Sequence, residues 1–159
     1  MTNGVLAIIV SYNDFYSLKS TAMALIDQVE EVLVVDNGSS KSVVSAIECF
    51  CASQKITLNL IGKNLGIGVA LNLGVTYAKN HGYKWLLTMD QDSRAATDMV
   101  HQLLQCAQRN PTAGLISANT NSDLIGTPEV FLSYAITSGN LVETEKLLRL
   151  NGYDEGLFI

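Results

Sequence analysis

Short runs of β-branched and aliphatic residues alternate along this chain with longer stretches whose apolar positions recur every three or four residues. The runs are VLAIIV at 5–10, EVLVV at 31–35, ITLNLI at 56–61, KWLLTM at 84–89 and GLISA at 114–118. Between them lie the stretches 15–28, 41–54, 66–80 and 95–109. Brief apolar runs bounded by turn residues predict buried strands, and three-and-four spacing predicts helices with one apolar stripe. Val43, Val44, Ile47 and Cys51 make such a stripe in the second stretch, as do Ile67, Ala70, Leu71, Val75 and Ala78 in the third. This βαβαβαβαβ rhythm predicts an α/β fold with a mostly parallel sheet flanked by helices. Asn13-Asp14, Asn37-Gly38-Ser39-Ser40, Gly62 to Gly66, and Ser93 with Thr97 punctuate the helix starts. After residue 118 the rhythm fades through NTNSDLIGTP, a loop, and VFLSYAITSGN, before a short amphipathic helix predicted at 143–150.

Composition narrows the class. A chain of 159 residues with 48% hydrophobic and 16% charged positions fits one folded domain with a real core. The net charge of −5 offers no Lys/Arg cluster to displace the counterions of DNA or RNA, which excludes a general nucleic-acid binder. VLAIIV falls well short of the roughly 20 apolar residues of a membrane-spanning helix, and the start has no basic leader region. The expectation is a soluble, cytoplasmic chain. Cys49, Cys51 and Cys106 are odd in number and unsuited to a disulfide framework or zinc knuckle, so they are expected as reduced core thiols. The chain ends within the apolar run Leu157-Phe158-Ile159, which predicts that a longer protein continues.

Four loops at the carboxyl ends of the predicted strands can carry chemistry, because ligands of open α/β sheets bind there. VSYND at 10–14 is small and polar, with Tyr12 able to lie beside a flat ligand. In VVDNGSS, Asp36 ends a strand; its carboxylate can accept from an imide N–H of uracil, thymine or guanine, or serve as a turn or N-cap residue. In GKNLGIGVALN at 62–72, Gly66 and Gly68 tolerate close backbone approach at a helix start, and Lys63 can add charge to a diphosphate site. In TMDQDS at 88–93, Asp90 and Asp92 lie two apart, so in an extended segment both face one ion while Gln91 faces elsewhere. Two like charges behind a buried strand call for a cation, and carboxylate oxygens suit Mg²⁺ or Mn²⁺. His81 and His101 have no partner at ligand spacing and read as surface or helix-end residues; Trp85 reads as core.

Taken in order, AIIVSYN, VLVVDNGSS, NLGIGVALNLGV, WLLTMDQDS, ITSGNLV and GYDEGLFI resemble the family-2 glycosyltransferases with a GT-A-type, Rossmann-like fold, most closely their bacterial rhamnosyltransferase-like branch. The resemblance implies transfer of a sugar, rhamnose by analogy, from a dTDP- or UDP-linked donor to a saccharide or lipid-linked saccharide acceptor in surface polysaccharide synthesis. It places Val10, Ser11, Tyr12 and Asn13 around the nucleotide and Asp36 on the base imide. Asn64, Gly66 and Asn72 fall near the ribose or diphosphate. By the same resemblance Asp90 would serve the ribose or an ion-bound water, and Asp92 would hold the Mg²⁺ or Mn²⁺ that bridges the phosphates. Ser138-Gly139-Asn140 faces the donor sugar and acceptor. The resemblance implies that residues 1–159 form one nucleotide-sugar-binding domain in which 119–159 begin an acceptor-side part expected to be incomplete, and it gives 119–133 no role. In inverting members the base lies slightly beyond GYDEGLFI, past Ile159; Asp154 and Glu155 are the carboxylates left nearby, as base or as acceptor-side scaffolding. The part past Ile159 is also where peripheral association with the inner face of the membrane would arise.

Competing readings fit less well. A receiver domain wants an acidic pair after the first strand, where Ser11-Tyr12-Asn13 stand. A nucleotidyltransferase wants a glycine-rich, Arg-containing loop there, and a nicotinamide-dependent oxidoreductase wants Gly-x-Gly-x-x-Gly. The alternative of another class is a catalytically silent nucleotide-sugar-binding fragment.

Overall fold

The computed structural model describes residues 2–54, 56–119, 129–131 and 133–156. The predicted alternation is present as β1 (Thr2–Ser11), α1 (Phe15–Leu25), β2 (Glu31–Asp36), α2 (Lys41–Gln54), β3 (Thr57–Leu60), α3 (Ile67–His81), β4 (Tyr83–Asp90), α4 (Met99–Arg109) and β5 (Leu115–Ser117). Two further elements follow, β6 (Asn140–Glu143) and α5 (Thr144–Arg149). The strands form one sheet in the order β3-β2-β1-β4-β6-β5. β1 pairs parallel with β2 and β4, and β2 with β3, whereas β6 runs antiparallel to both β4 and β5. The sheet is therefore mixed: the sequence rhythm places GLISA as the next parallel strand, and the structure inserts the unpredicted β6 before it.

Period two along the strands sorts the core into two layers. Val5, Ala7 and Ile9 of β1, Val32 and Val34 of β2 and Leu87 of β4 pack against α1, α2 and α4. Leu6, Ile8, Leu33, Val35 and Leu86 face the other way, onto α3 and α5. Helices thus cover both faces of a fully buried parallel centre, which is why these strands read as unbroken apolar runs. Gly74 of α3 lies so close to the sheet that a Cβ there would stand 2.1 Å from Ile8 Cδ1.

Several boundaries and placements differ from the sequence reading. α4 starts at Met99 rather than 95, because residues 91–98 form a turn and loop after β4. Cys51 is buried, and burial pushes its thiol up to about 11, but Cys49 is exposed. Positions i and i+2 on a helix are about 200° apart, so Cys49 and Cys51 cannot both face one core. All three cysteines are free, with Cys106 half-buried. Trp85 is half-buried against the α1/α2/α4 layer, with Lys84 Nζ 5.3 Å from its ring centre. His81, at the end of α3, stacks on Tyr77 with ring centres 3.8 Å apart, and exposed His101 contacts Gln105 at 2.9 Å. Residues 120–128 and 132 of the stretch without an assigned role, and the terminal Leu157-Phe158-Ile159, lie outside the described residues.

At the amino-terminal edge of the sheet, Glu31 accepts from Thr57 Oγ1 (2.5 Å) and Tyr77 Oη (2.7 Å) at Oε1, and from Tyr83 Oη (2.6 Å) at Oε2. Partial burial pushes this carboxyl up, and the hydroxyl donors outweigh it, holding the group below its ordinary value. No described helix is long and apolar enough to cross a membrane.

Candidate functional site

The carboxyl ends of β1, β2 and β4 meet at one edge, since Ser11 is in register with Asp36 and Val10 with Asp90. By strand parity Asp36 belongs with Val32 and Val34 on the α1/α2 side, and Asp90 with Leu86 on the α3 side. The two acids therefore straddle the sheet edge. A cavity of about 370 Å³ opens beside Asp36, lined also by Ser39, Lys41, Val44 and Leu60. A second, of about 260 Å³, is lined by Val10, Tyr12, Asn64, Asp90 and Asp92, among others.

Asp36 is 1% exposed. Its Oδ1 accepts from the main-chain N–H groups of Gly38 (3.2 Å) and Ser39 (2.9 Å), and Oδ2 accepts from Ser39 Oγ. The turn reading of Asp36 therefore holds, and Oδ2 keeps a free lone pair, because an ionised carboxylate has about four acceptor sites. Gly38 makes this turn with φ 90°, and a Cβ there would lie 2.4 Å from the Lys63 carbonyl carbon.

Side chains from each loop fasten the next. Asn13, at φ 55°, donates from its main chain to Ser39 Oγ (2.8 Å) and accepts from Ser40 N at Oδ1 (2.8 Å). Buried Asn37 donates from Nδ2 to Asn64 Oδ1 (3.0 Å) and accepts from Leu65 N (3.0 Å). Asn64 Oδ1 also takes the N–H of Gly66, the α3 N-cap residue with φ 90°. Gln91 pairs through both ends of its amide with the main chain of Tyr12. Ser138 Oγ accepts from Asp90 N (3.1 Å) and donates to Ser93 Oγ (2.7 Å). Four loops remote in sequence thus become one rim.

β4 ends at Asp90 and a turn follows. The extended geometry that would make Asp90 and Asp92 face one way is absent, yet the turn brings both to the same cavity. Partial burial, then the charge of Asp92, push the Asp90 carboxyl above its ordinary value. Burial is the larger cause, and the neighbouring like charge adds to it. Among the described residues no third acidic, His or Cys side chain completes a metal-ligand cluster. The donor set is thus two carboxylates, which fits Mg²⁺ or Mn²⁺, ions that keep waters and take substrate phosphates as further ligands.

Other predicted residues sit elsewhere. Ser11 is fully buried beneath the loop, and its Oγ has no hydrogen-bond partner among the described residues. Asn72 is occupied by the chain itself: Nδ2 donates to Tyr153 O (3.0 Å) and Glu155 Oε1 (2.8 Å), and Oδ1 accepts from Tyr153 N (2.8 Å). Gly68 admits Asp154, whose carbonyl oxygen would lie 2.5 Å from a Cβ. The Gly-x-Gly spacing therefore splits into one conformational glycine, Gly66, and one packing glycine, Gly68. Tyr153 is half-buried, and burial pushes its hydroxyl up to about 12. Asp154 and Glu155 are exposed, with Asp154 Oδ1 accepting from Gly156 N at 2.8 Å. Sequence reasoning overlooked Asn37 and set Gln91 aside. Neither carries a sequence signal for this work: Asn37 before Gly38 reads only as a turn, and the turn after Asp90 cancels the strand alternation that would place Gln91.

Similarity to known proteins places this architecture. The chain resembles the dTDP-rhamnosyl transferase RfbF of Shigella flexneri, with 30% identity over 114 residues, 71% of this chain and 37% of that protein. It resembles the poly-beta-1,6-N-acetyl-D-glucosamine synthase of Staphylococcus epidermidis at 20% identity, over 98% of this chain and 38% of the other. Among solved structures, S. aureus TarS 1-349 superposes with TM-score 0.75 at 17% identity, covering 98% of this chain and 51% of TarS. The mannosyltransferase PcManGT from Pyrobaculum calidifontis, in complex with GDP-Man and Mn²⁺, superposes with TM-score 0.74 at 22% identity, covering 95% and 47%. These structures share the GT-A fold, and this chain spans about half their length and under two fifths of the curated relatives'. The profile of Glycosyl transferase family 2 matches residues 6–140, and the chain belongs to that family.

Proposed function

We propose that this chain is the nucleotide-sugar-binding part of an inverting glycosyltransferase that moves a sugar, rhamnose in the first instance, from a dTDP- or UDP-linked donor to a saccharide or lipid-linked saccharide hydroxyl in surface polysaccharide synthesis, on the cytoplasmic side of the membrane. The observation that carries this reading is the division of the sheet edge. One cavity has Asp36 on its wall, and the other gathers the carboxylate pair Asp90 and Asp92 with Tyr12 and Asn64. A ligand that uses both must carry a base at one end and phosphates at the other. A divalent ion held by Asp92 with Asp90 would offset the negative charge that grows on the departing diphosphate. Tyr12 lies beside the nucleoside, and the first turn of α3, after Gly66, adds main-chain donors on the diphosphate side.

Residues 119–159 open the acceptor side, where Ser138 and Asn140 support the floor beneath the donor sugar. Asn72 fixes Glu155 through its side chain, which supports a scaffolding role for Asp154 and Glu155. The base then belongs to the remainder of a protein of the relatives' length. Membership of a transferase family favours this reading over a silent binding fragment.

Competition binding of dTDP, UDP, GDP and ADP in the presence of Mn²⁺ tests it. The imide-bearing dTDP and UDP bind, ADP binds at least tenfold more weakly, and Asp36→Ala narrows that gap, a bond to a charged group being worth about 1.5–3 kcal/mol. Equal affinity for ADP would sink the assignment of Asp36.

A further inference from the structure

The side chain between the two site acids has an unusual partner. Gln91 Oε1 accepts from the main-chain N–H of Tyr12 at 2.9 Å, and Gln91 Nε2 donates to the Tyr12 carbonyl at 3.1 Å. The amide orientation is dictated by chemistry, since an N–H requires the oxygen and a C=O requires the NH₂. A side chain of the Asp90–Asp92 turn thus pairs with the β1 loop as a neighbouring strand would. The turn itself is held from below: Thr21 Oγ1, 1% exposed, lies 2.6 Å from both the Gln91 and Ser93 carbonyl oxygens. From the other side, Ser138 Oγ holds Asp90 N and Ser93 Oγ. The turn is fixed at its base, and Gln91 extends that order to Tyr12.

We infer that Gln91 is a positioning residue that couples the two halves of the donor site, so that a divalent ion on Asp90 and Asp92 strengthens binding of the nucleoside at the Tyr12 loop. The inference rests on the donor-site reading above. The Gln91–Tyr12 pair and the contacts of Thr21 and Ser138 hold one geometry of the turn, and repulsion between the two carboxylates works against it. An ion that offsets this repulsion favours that geometry further, so that the Gln91 amide keeps the Tyr12 main chain in its receiving position for more of the time. Linkage makes the effect reciprocal: a nucleoside tightens the cation site as much as the cation tightens the nucleoside site.

A nucleoside without phosphates isolates this path, having no phosphate to offer the ion. Uridine and thymidine are titrated into the 159-residue chain with and without saturating Mn²⁺, with UDP plus Mn²⁺ as control. For the wild type the ion tightens nucleoside binding at least about fivefold, the lower end of ordinary coupling between sites. Gln91→Ala brings that ratio to about one while UDP plus Mn²⁺ still binds. Gln91→Glu also lowers it, because a carboxylate cannot donate to the Tyr12 carbonyl, although its added charge leaves Mn²⁺ binding at least as tight. A wild-type ratio near one, or a ratio that survives in either variant, overturns the inference. Failure of UDP plus Mn²⁺ to bind the wild type would instead strike the donor-site reading, and the inference with it.

Discussion

Asn72 is where the sequence pattern and the structure assign different work to one side chain, and removing it separates them. Asn72→Ala deletes three hydrogen bonds, two to the Tyr153 main chain and one to Glu155, at 2.8–3.0 Å. Each is worth about 0.5–1.5 kcal/mol net, and the half-exposed Tyr153 groups regain water, so the segment loses about 2–4 kcal/mol of local stability. At 1.4 kcal/mol per decade, opening of that segment becomes roughly 30- to 700-fold more frequent. The loss is confined to 151–156, which lie beside α3 outside the central strands, so the main unfolding transition moves far less. Hydrogen exchange at the Tyr153 amide, which donates directly to Asn72 Oδ1, reads the effect. Gly68→Ala acts on the same docking by steric conflict with the Asp154 carbonyl, and the double variant adds little to the worse single one. UDP affinity in Asn72→Ala stays within about twofold of wild type, because a Kd change of that size is only about 0.4 kcal/mol. Unchanged exchange at Tyr153 together with a tenfold loss of UDP affinity would refute the argument and return Asn72 to the diphosphate.

Two further outcomes follow from the packing. Gly38→Ala places a Cβ 2.4 Å from the Lys63 backbone at φ 90°, and chemical denaturation is expected to show a loss of more than about 2 kcal/mol; a loss below 0.5 would mean the loop can move aside. Glu31 has a folded pKa below its unfolded value of about 4.3, so its contribution is present above that pH and lost as pH falls through the lower folded value. Glu31→Gln therefore flattens the acid limb of a stability-versus-pH curve below about pH 5, and an unchanged slope would count against the hydroxyl cluster.

Much of the parallel half of the sheet was legible because its strands are buried on both faces. Runs such as Leu6-Ala7-Ile8-Ile9 and Val32-Leu33-Val34-Val35 have no other economical reading. β6 was not legible: Leu141 and Val142 are too few for a pattern, and the strand exists through pairing with Leu86, Leu87 and Ile116, remote in sequence. At the site, strand ends predicted where Asp36 and Asp90 stand, since chain order alone puts them at the carboxyl edge. The work of Asn13, Asn37, Asn72 and Gln91 was not predictable, because an amide makes whichever bonds tertiary packing presents. Gly68 misled for a related reason: close approach was correctly signalled, and the approaching group is the chain's own Asp154.

The proposed binding of a nucleotide diphosphate to Asp90 and Asp92 through a divalent ion is tested most directly by calorimetric titration of UDP and dTDP, with and without Mn²⁺, into wild type and Asp92→Asn. At least about tenfold tighter binding with Mn²⁺, a gain of about 1.4 kcal/mol, is expected for the wild type and disappears in Asp92→Asn. Affinity indifferent to Mn²⁺, or equally enhanced by it in Asp92→Asn, would contradict it.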